Sequence, residues 1–461
     1  MADVKNKNKR ASDPARAAAA RLLHSVLEEG AYSNLSSLKL LDQDDLDSRD
    51  RAFASAAVYG TIGWLPMIDW HISKVSAKSL DQLDPWIRTI LRFGLWQLTK
   101  ANSVTESAAV DESVKLARFF LHDGAASYVN AVLRNWLRTR PQMPRKLEAL
   151  NYGLPTWLFG SLKKWYGYDR AISLAEAFLE PKPWTSLRVN VLQADSSALL
   201  EAWRQDGLEA EPGLYLSEAV RLKLAGNSLR DLIAWQDGLV TAQDEAAMLT
   251  SHIASPSKQD RIIDLCAAPG GKTTHLAELT ADQAEITALE LQPHRAQLIL
   301  EQAERLKLGS ITTIVDDAAS FSSNGKQYDI VIADVPCSGL GLLGRKPELR
   351  LNMSYDKLQE LTKLQRDILV NAGTLVKAGG CLVYSTCTIN PEENQDQIRW
   401  LIEDSEQAGI FNPVDISEML PQPLLEIDDD FAILAKQGYI QLLPDRHHTD
   451  GFFIARLEKK A

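Results

Sequence analysis

Between residues 261 and 385, five short apolar runs rich in β-branched residues alternate with long stretches of helical composition. The runs are Arg261 to Cys266, Ile286 to Leu291, Ile311 to Val315, Tyr328 to Val335 and Cys381 to Ser385. Strands covered on both faces read as near-continuous apolar segments, and parallel neighbours need helical crossovers between them. The alternation therefore predicts a doubly wound, Rossmann-like α/β domain over residues 236–461. Sheets of this kind bind ligands outside the carboxyl ends of their strands, so the residues just past each run are where chemistry is expected. Further on, Tyr439 to Leu443 and Gly451 to Leu457 flank a Pro-Asp-Arg-His-His-Thr-Asp loop and predict an antiparallel hairpin at the sheet edge.

A chain of 461 residues is too long for one core. Residues 11–140 carry helical patterning: Val129, Val132, Leu133, Trp136 and Leu137 share one helix face, as do Ile87, Ile90, Leu91, Leu95 and Leu98. Asp84-Pro85 supplies a cap and a first-turn proline for the second of these helices. Aromatic residues in this region lie at core spacing. The breaker cluster from Arg140 to Pro144 predicts a boundary, and strand-like segments at Thr185 to Val191 and Ala219 to Leu224 predict a small α+β linker domain over residues 141–235. Residues 1–10, with Lys5, Lys7, Lys9 and Arg10, form a basic arm.

The arm has no apolar segment behind it to make a secretory signal, and no run reaches the roughly 18 apolar residues of a membrane helix, so a cytoplasmic protein without membrane contact is expected. The four cysteines, Cys266, Cys337, Cys381 and Cys387, show neither a disulfide framework nor zinc spacing, so no metal is expected. Net charge is −11, which at first argues against nucleic acid. The sign is not uniform: residues 1–145 hold 20 Lys/Arg against 16 Asp/Glu, while residues 403–430 hold nine acids and no Lys or Arg. Bound RNA is expected to avoid the latter stretch.

Asp264-Leu265-Cys266-Ala267-Ala268-Pro269-Gly270-Gly271-Lys272-Thr273 reads as strand, glycine-rich turn and helix start, a place where backbone N–H groups meet a ligand. A Walker loop would need glycine where Cys266 stands, so a nucleoside or carboxylate ligand is favoured over a triphosphate. Glu290, an acid ending the second strand, stands where ribose hydroxyls are held in such folds. Gly339 to Gly344 spells a dinucleotide fingerprint, but Arg345-Lys346-Pro347 follows where a helix should begin, so it reads as a loop. Asp334 and Cys337 lie past one strand and Cys387 past another, converging over one crevice. Cys266 and Cys381 read as small buried hydrophobes. His447-His448 reads as a polar turn, and Arg345, Lys346 and Arg350 read equally as phosphate contacts or a solvated loop.

DLCAAPGGKTTHLAEL, IADVPCSGLG and YSTCTINPEENQ together resemble the RNA cytosine-C5 methyltransferases of the Nol1/Nop2/Sun family, and DSRDRAFASAAVYG, PWIRTILRFGLWQL and VNAVLRNW resemble the NusB-like helical RNA-binding domain. The pairing resembles the bacterial Fmu/Sun type, which acts on small-subunit (16S) ribosomal RNA or a small-subunit assembly intermediate. The resemblance implies S-adenosylmethionine as methyl donor. It places Cys266, Ala267, Ala268, Pro269, Gly270, Gly271 and Lys272 around methionine and ribose, Glu290 on the ribose hydroxyls and Asp317 near adenine, with Asp334 also among the cofactor contacts. It further implies Cys387 as the nucleophile that adds to cytosine C6, Cys337 as the group assisting breakdown of the adduct, and Asp334 as the acid that holds the base. Glu290 departs from the usual Asp, and Asp316-Asp317 from the usual Gly-Asp. The rival reading is a catalytically idle RNA-binding or ribosome-assembly factor, for which retaining Cys387 has no chemical purpose.

Overall fold

Aspartate and proline punctuation opens most helices of the N-terminal region in the computed structural model, which describes residues 13–30, 46–180 and 182–461. The basic arm expected over residues 1–10 lies outside the described residues. Helix α1 (Pro14–Glu28) is capped by Asp13, α2 (Ser48–Gly63) by Asp47, and α3 (Leu65–Val75) follows. Helix α4 (Pro85–Thr99) starts on the Asp84-Pro85 signal, with the Asp84 carboxylate accepting from Trp86 N and Ile87 N. Then come α5 (Glu106–Phe120), α6 (Asp123–Thr139), α7 (Thr156–Tyr166) and α8 (Tyr168–Ala177). Val129, Val132, Leu133 and Trp136 of α6 are buried, as are Ile90, Leu91 and Leu95 of α4, while Ile87, Leu98 and Leu137 are only half-buried.

The helical unit also takes in the residues after Arg140, with segments 225–228 and 343–352. The breaker cluster at residues 140–144 ends α6 without ending this unit, because Leu154, Leu158, Phe159 and Leu162 beyond it are buried. Arg350 corrects the expectation of a phosphate contact or solvated loop. It is 1% exposed and donates to the carbonyls of Gly63 (2.8 Å), Gly153 (3.0 Å) and Leu343 (3.2 Å), so its charge is spent on backbone acceptors.

In the second unit, β1 (Trp184–Val189), α9 (Ser196–Gln205), β2 (Ala210–Pro212), β3 (Ala219–Lys223) and β4 (Val240–Ala242) build a four-stranded antiparallel sheet in the order β2-β3-β1-β4. It is the small α+β element expected from the sequence, and β4 carries it past residue 235. Helix α10 (Glu245–Ala254) leads to the main sheet: β5 (Arg261–Asp264), α11 (Gly271–Leu279), β6 (Glu285–Glu290), α12 (Pro293–Arg305), β7 (Ile311–Val315) and β8 (Tyr328–Asp334). It continues with α13 (Tyr355–Leu375), β9 (Val376–Thr386), α14 (Gln395–Glu403), β10 (Phe411–Pro413), β11 (Tyr439–Leu442) and β12 (Phe452–Lys459).

Strands β9-β8-β5-β6-β7 are parallel neighbours, and β12 joins β9 antiparallel, with β10 and β11 both paired to β12. The predicted hairpin is therefore present, and its second strand extends the parallel sheet. Alternation along the strands explains the two buried faces: Ile262, Ile330, Ile332, Val383 and Ile454 share one apolar cluster, while Ile263, Val331, Ala333, Leu382, Tyr384 and Phe453 share the other. Strand order reverses between β5 and β8, which opens a crevice at their carboxyl ends. Among the described residues no helix is long and apolar enough to cross a membrane.

Candidate active site at the carboxyl edge of the sheet

The first wall of the crevice is the turn after β5. Gly270 sits at φ +106°, a conformation that side chains rarely adopt, and turns the chain into α11. Asp264 at the end of β5 accepts from Thr273 Oγ1 at 2.7 Å, whereas its Oδ1 is buried with no hydrogen-bond partner among the described residues. Burial pushes the Asp264 carboxyl up to about 6, against the hydrogen bond from Thr273. The folded chain thus holds this proton more tightly than the unfolded chain, so the stabilisation is complete below the ordinary value of 3.8 and is lost as pH rises to about 6. In denaturant titrations of the ligand-free protein, Asp264→Asn should therefore gain on the wild type between about pH 4 and 6 and keep a constant difference above. A difference unchanged across that window would contradict the burial argument.

Glu290 closes β6, 3% exposed, with Oε1 accepting from Gln292 N at 3.1 Å and from Arg295 Nη1 at 3.3 Å. After β7, Asp316 and Asp317 are both exposed, and the Asp317 carboxylate accepts from Ala319 N at 2.9 Å.

The second wall is formed by the ends of β8 and β9. Asp334 receives Lys272 Nζ on Oδ2 and Ser385 Oγ on Oδ1, each at 2.7 Å, so one carboxylate joins the glycine turn, β8 and β9. Just beyond, the Sγ atoms of Cys337 and Cys387 lie 3.2 Å apart. Both are half-buried free thiols. The Cys337 thiol is pushed up first by its hydrogen bond with Cys387 and then by burial, so it keeps its proton at neutral pH. Cys381 lies within the sheet, where burial pushes its thiol up to about 11, and burial likewise raises Cys266. Cys381 is buried, as the sequence reading expects, whereas Cys266 is half-buried.

Three features of the site escape sequence reasoning. Glu393 is fully buried and its carboxylate accepts from Ser338 N (2.8 Å), Ser338 Oγ (2.5 Å), Gln365 Nε2 (3.1 Å) and Asn390 Nδ2 (3.0 Å). It binds the Cys337 loop to the segment after Cys387. Arg188 of β1, also fully buried, pairs with Glu278 (2.8 and 2.9 Å) and donates to Gly271 O (2.7 Å) and Thr274 Oγ1 (2.9 Å), which anchors the start of α11. Gly341, in the loop after Cys337, passes so close to Gly451 that a Cβ would sit 1.9 Å from its carbonyl oxygen. Gly341 is therefore fixed by chain packing. His447 is buried in a helical turn, its Nδ1 accepting from Leu443 N at 2.9 Å, as a turn residue would.

Comparison with known proteins agrees with this architecture. The model of the 16S rRNA methyltransferase RsmB/F family matches residues 251–458, the NusB family model residues 13–138, and that of an RsmF/B-like ferredoxin-like domain residues 154–228. A probable ribosomal RNA small subunit methyltransferase B of Bacillus subtilis is 33% identical over 442 residues, spanning 93% of this chain and 95% of that one. Its namesake from Synechocystis is 32% identical over 453 residues, spanning 96% and 99%. The solved structure of PH0851 superposes with a TM-score of 0.84 at 27% identity, over 97% of this chain and 99% of that one. Full-length likeness of this order leaves S-adenosylmethionine as the cofactor, and places the chain in the family of 16S rRNA methyltransferases RsmB/F.

Proposed function

We propose that this protein methylates C5 of a cytosine in 16S ribosomal RNA through a covalent adduct of Cys387. The observation that carries the reading is the meeting of two thiols, from the loops after β8 and β9, at 3.2 Å. Cytosine C5 is a poor nucleophile until a thiolate adds to C6 and leaves an enamine. Cys387 is given that addition. Cys337 keeps its proton and lies within hydrogen-bond reach of the Cys387 sulfur, at 3.2 Å. Once C5 is methylated, loss of the C5 proton and rupture of the Sγ–C6 bond restore the aromatic ring, and Cys337 assists at that stage. Asp334, oriented by Lys272 and Ser385, is given the role of hydrogen-bonding the cytosine and steering protons during addition. The base must leave its stack, or be unpaired, to reach this pocket.

The residues present suit the cofactor. The unpartnered Asp264 Oδ1 is a buried acceptor for a cationic N–H group, and Glu290 stands where a ribose diol would be held. When bound, S-adenosylmethionine supplies an electrophilic methyl on a sulfonium. The Cys266 to Lys272 turn and Asp317 are assigned to it, and the residues that match the NusB model are assigned to RNA.

The test is the nucleoside made when the full chain meets unmodified 16S RNA, or an assembly intermediate, with labelled donor. Digestion and mass spectrometry should yield 5-methylcytidine. Another methylated nucleoside would overturn the C5 assignment, and RNA binding without any methylation would favour the idle assembly factor.

A further inference from the structure

We propose that Glu218, His252 and His275 form a site for a divalent transition-metal ion, zinc fitting best. Glu218 directly precedes β3, His252 lies in the last turn of α10, and His275 lies within α11, so three separate elements converge. The three ligand atoms all lie within 4.8 Å of one another. Glu218 Oε1 is the common point, 2.5 Å from His252 Nε2 and 3.4 Å from His275 Nε2. Sequence spacing hid the set, since Glu218 and His252 are 34 residues apart.

The buried histidine carries the argument. His275 is 1% exposed; its Nδ1 has no hydrogen-bond partner among the described residues, and its Nε2 meets the Glu218 carboxylate only at 3.4 Å. A buried imidazole whose Nε2 has only this long approach to a carboxylate is poorly satisfied, and a metal bond at Nε2 would supply a full partner. Two imidazoles and one carboxylate are the donor set of three-ligand zinc sites, in which water fills the fourth position. Water can enter here, because the His252 side chain is 27% exposed. With ligand bonds of about 2.0 Å, tetrahedral neighbours stand about 3.3 Å apart. The Glu218–His275 separation of 3.4 Å already matches, and His252, at 2.5 Å, would swing outward by about 0.8 Å. Ser217 Oγ donates to the other Glu218 oxygen at 3.3 Å, an outer contact of the sort that orients a ligating carboxylate. The ion would pin β3 and α10 to α11, the helix whose first residue belongs to the glycine turn.

The test uses the full-length protein, stripped with chelator and titrated with ZnCl2 by calorimetry, and with CoCl2 by visible absorption. One equivalent of zinc should bind, raise the melting temperature, and in the cobalt form give a tetrahedral spectrum without thiolate charge-transfer bands. His252→Gln keeps a donor for Glu218 but has no imidazole, so it should fold and lose zinc affinity by about 100-fold or more. The Cys337→Ser/Cys387→Ser double variant should bind as the wild type does. Equal binding by wild type and His252→Gln, no stoichiometric binding by folded wild type, or loss of binding in the cysteine variant would each overturn the site, leaving a hydrogen-bonded triad.

Discussion

Cys337→Ala is expected to accumulate a complex with substrate RNA that survives denaturing electrophoresis, while Cys387→Ala forms none. The expectation rests on the roles proposed above for the two thiols that lie 3.2 Å apart. Removing Cys387 removes the bond to C6 itself, and loss of a covalent nucleophile typically lowers turnover by about 10⁴-fold or more. Removing Cys337 leaves that bond able to form, but takes away the group that helps to break it. The adduct should contain methylated base, because methyl transfer precedes the missing step. Both variants should bind S-adenosylmethionine as the wild type does, since neither side chain belongs to the β5 turn. Equal trapping by the two variants, or by neither, would sink the assignment of nucleophile and resolver.

Glu393→Ala should be the most damaging change at a residue that touches neither cofactor nor base. Its carboxylate accepts from Ser338 N, Ser338 Oγ, Gln365 and Asn390 in a fully buried pocket, and alanine would strand these donors. An unsatisfied buried donor costs about 1–3 kcal/mol, so several together should cost about 3–5 kcal/mol, or roughly 10 °C in melting temperature. Activity should fall further than stability explains. The hub holds the Cys337 loop against the chain that follows Cys387, and a shift of about 1 Å in reacting groups can cost about 10²-fold in rate. Methylation assayed well below the melting point should therefore drop while S-adenosylmethionine affinity is kept. Glu393→Gln, which retains one acceptor oxygen, should fall between the two. Loss of stability with undiminished turnover would show that the hub only supports the fold.

The elements that could be read in advance are those whose cause is local. Asp84-Pro85 caps its own helix, the β5 turn needs its glycine at Gly270, and the loops bearing Asp334, Cys337 and Cys387 sit at strand ends because apolar runs stop there. What stayed hidden depends on partners far along the chain. Glu393 looks like one more acid in a polar loop until Ser338, 55 residues earlier, donates to it. Arg188 reads as an ordinary charged strand residue, and only Glu278, 90 residues on, reveals why it can be buried. Arg350 reads as a phosphate or solvent contact because nothing near it in sequence announces the carbonyls of Gly63 and Gly153. A three-residue strand such as β4 has too few side chains to show a period, and its pairing with β1 is what defines it.

Strand β12 has a further consequence for the way the sheet is completed. Both β10 and β11 reach the sheet only through it, and it alone covers the open side of β9. Until β12 docks, β9 offers an unpaired row of amides and carbonyls beside the cysteine-bearing loop, and two shorter strands have nowhere to attach. Pairings between segments so distant in sequence form late, since loop closure must precede any gain from contact. The seam between β9 and β12 is thus one of the long-range pairings on which completion of the sheet depends. A lesion there would be felt first as self-association through the bare edge, before any loss of methyl transfer by molecules that had already folded.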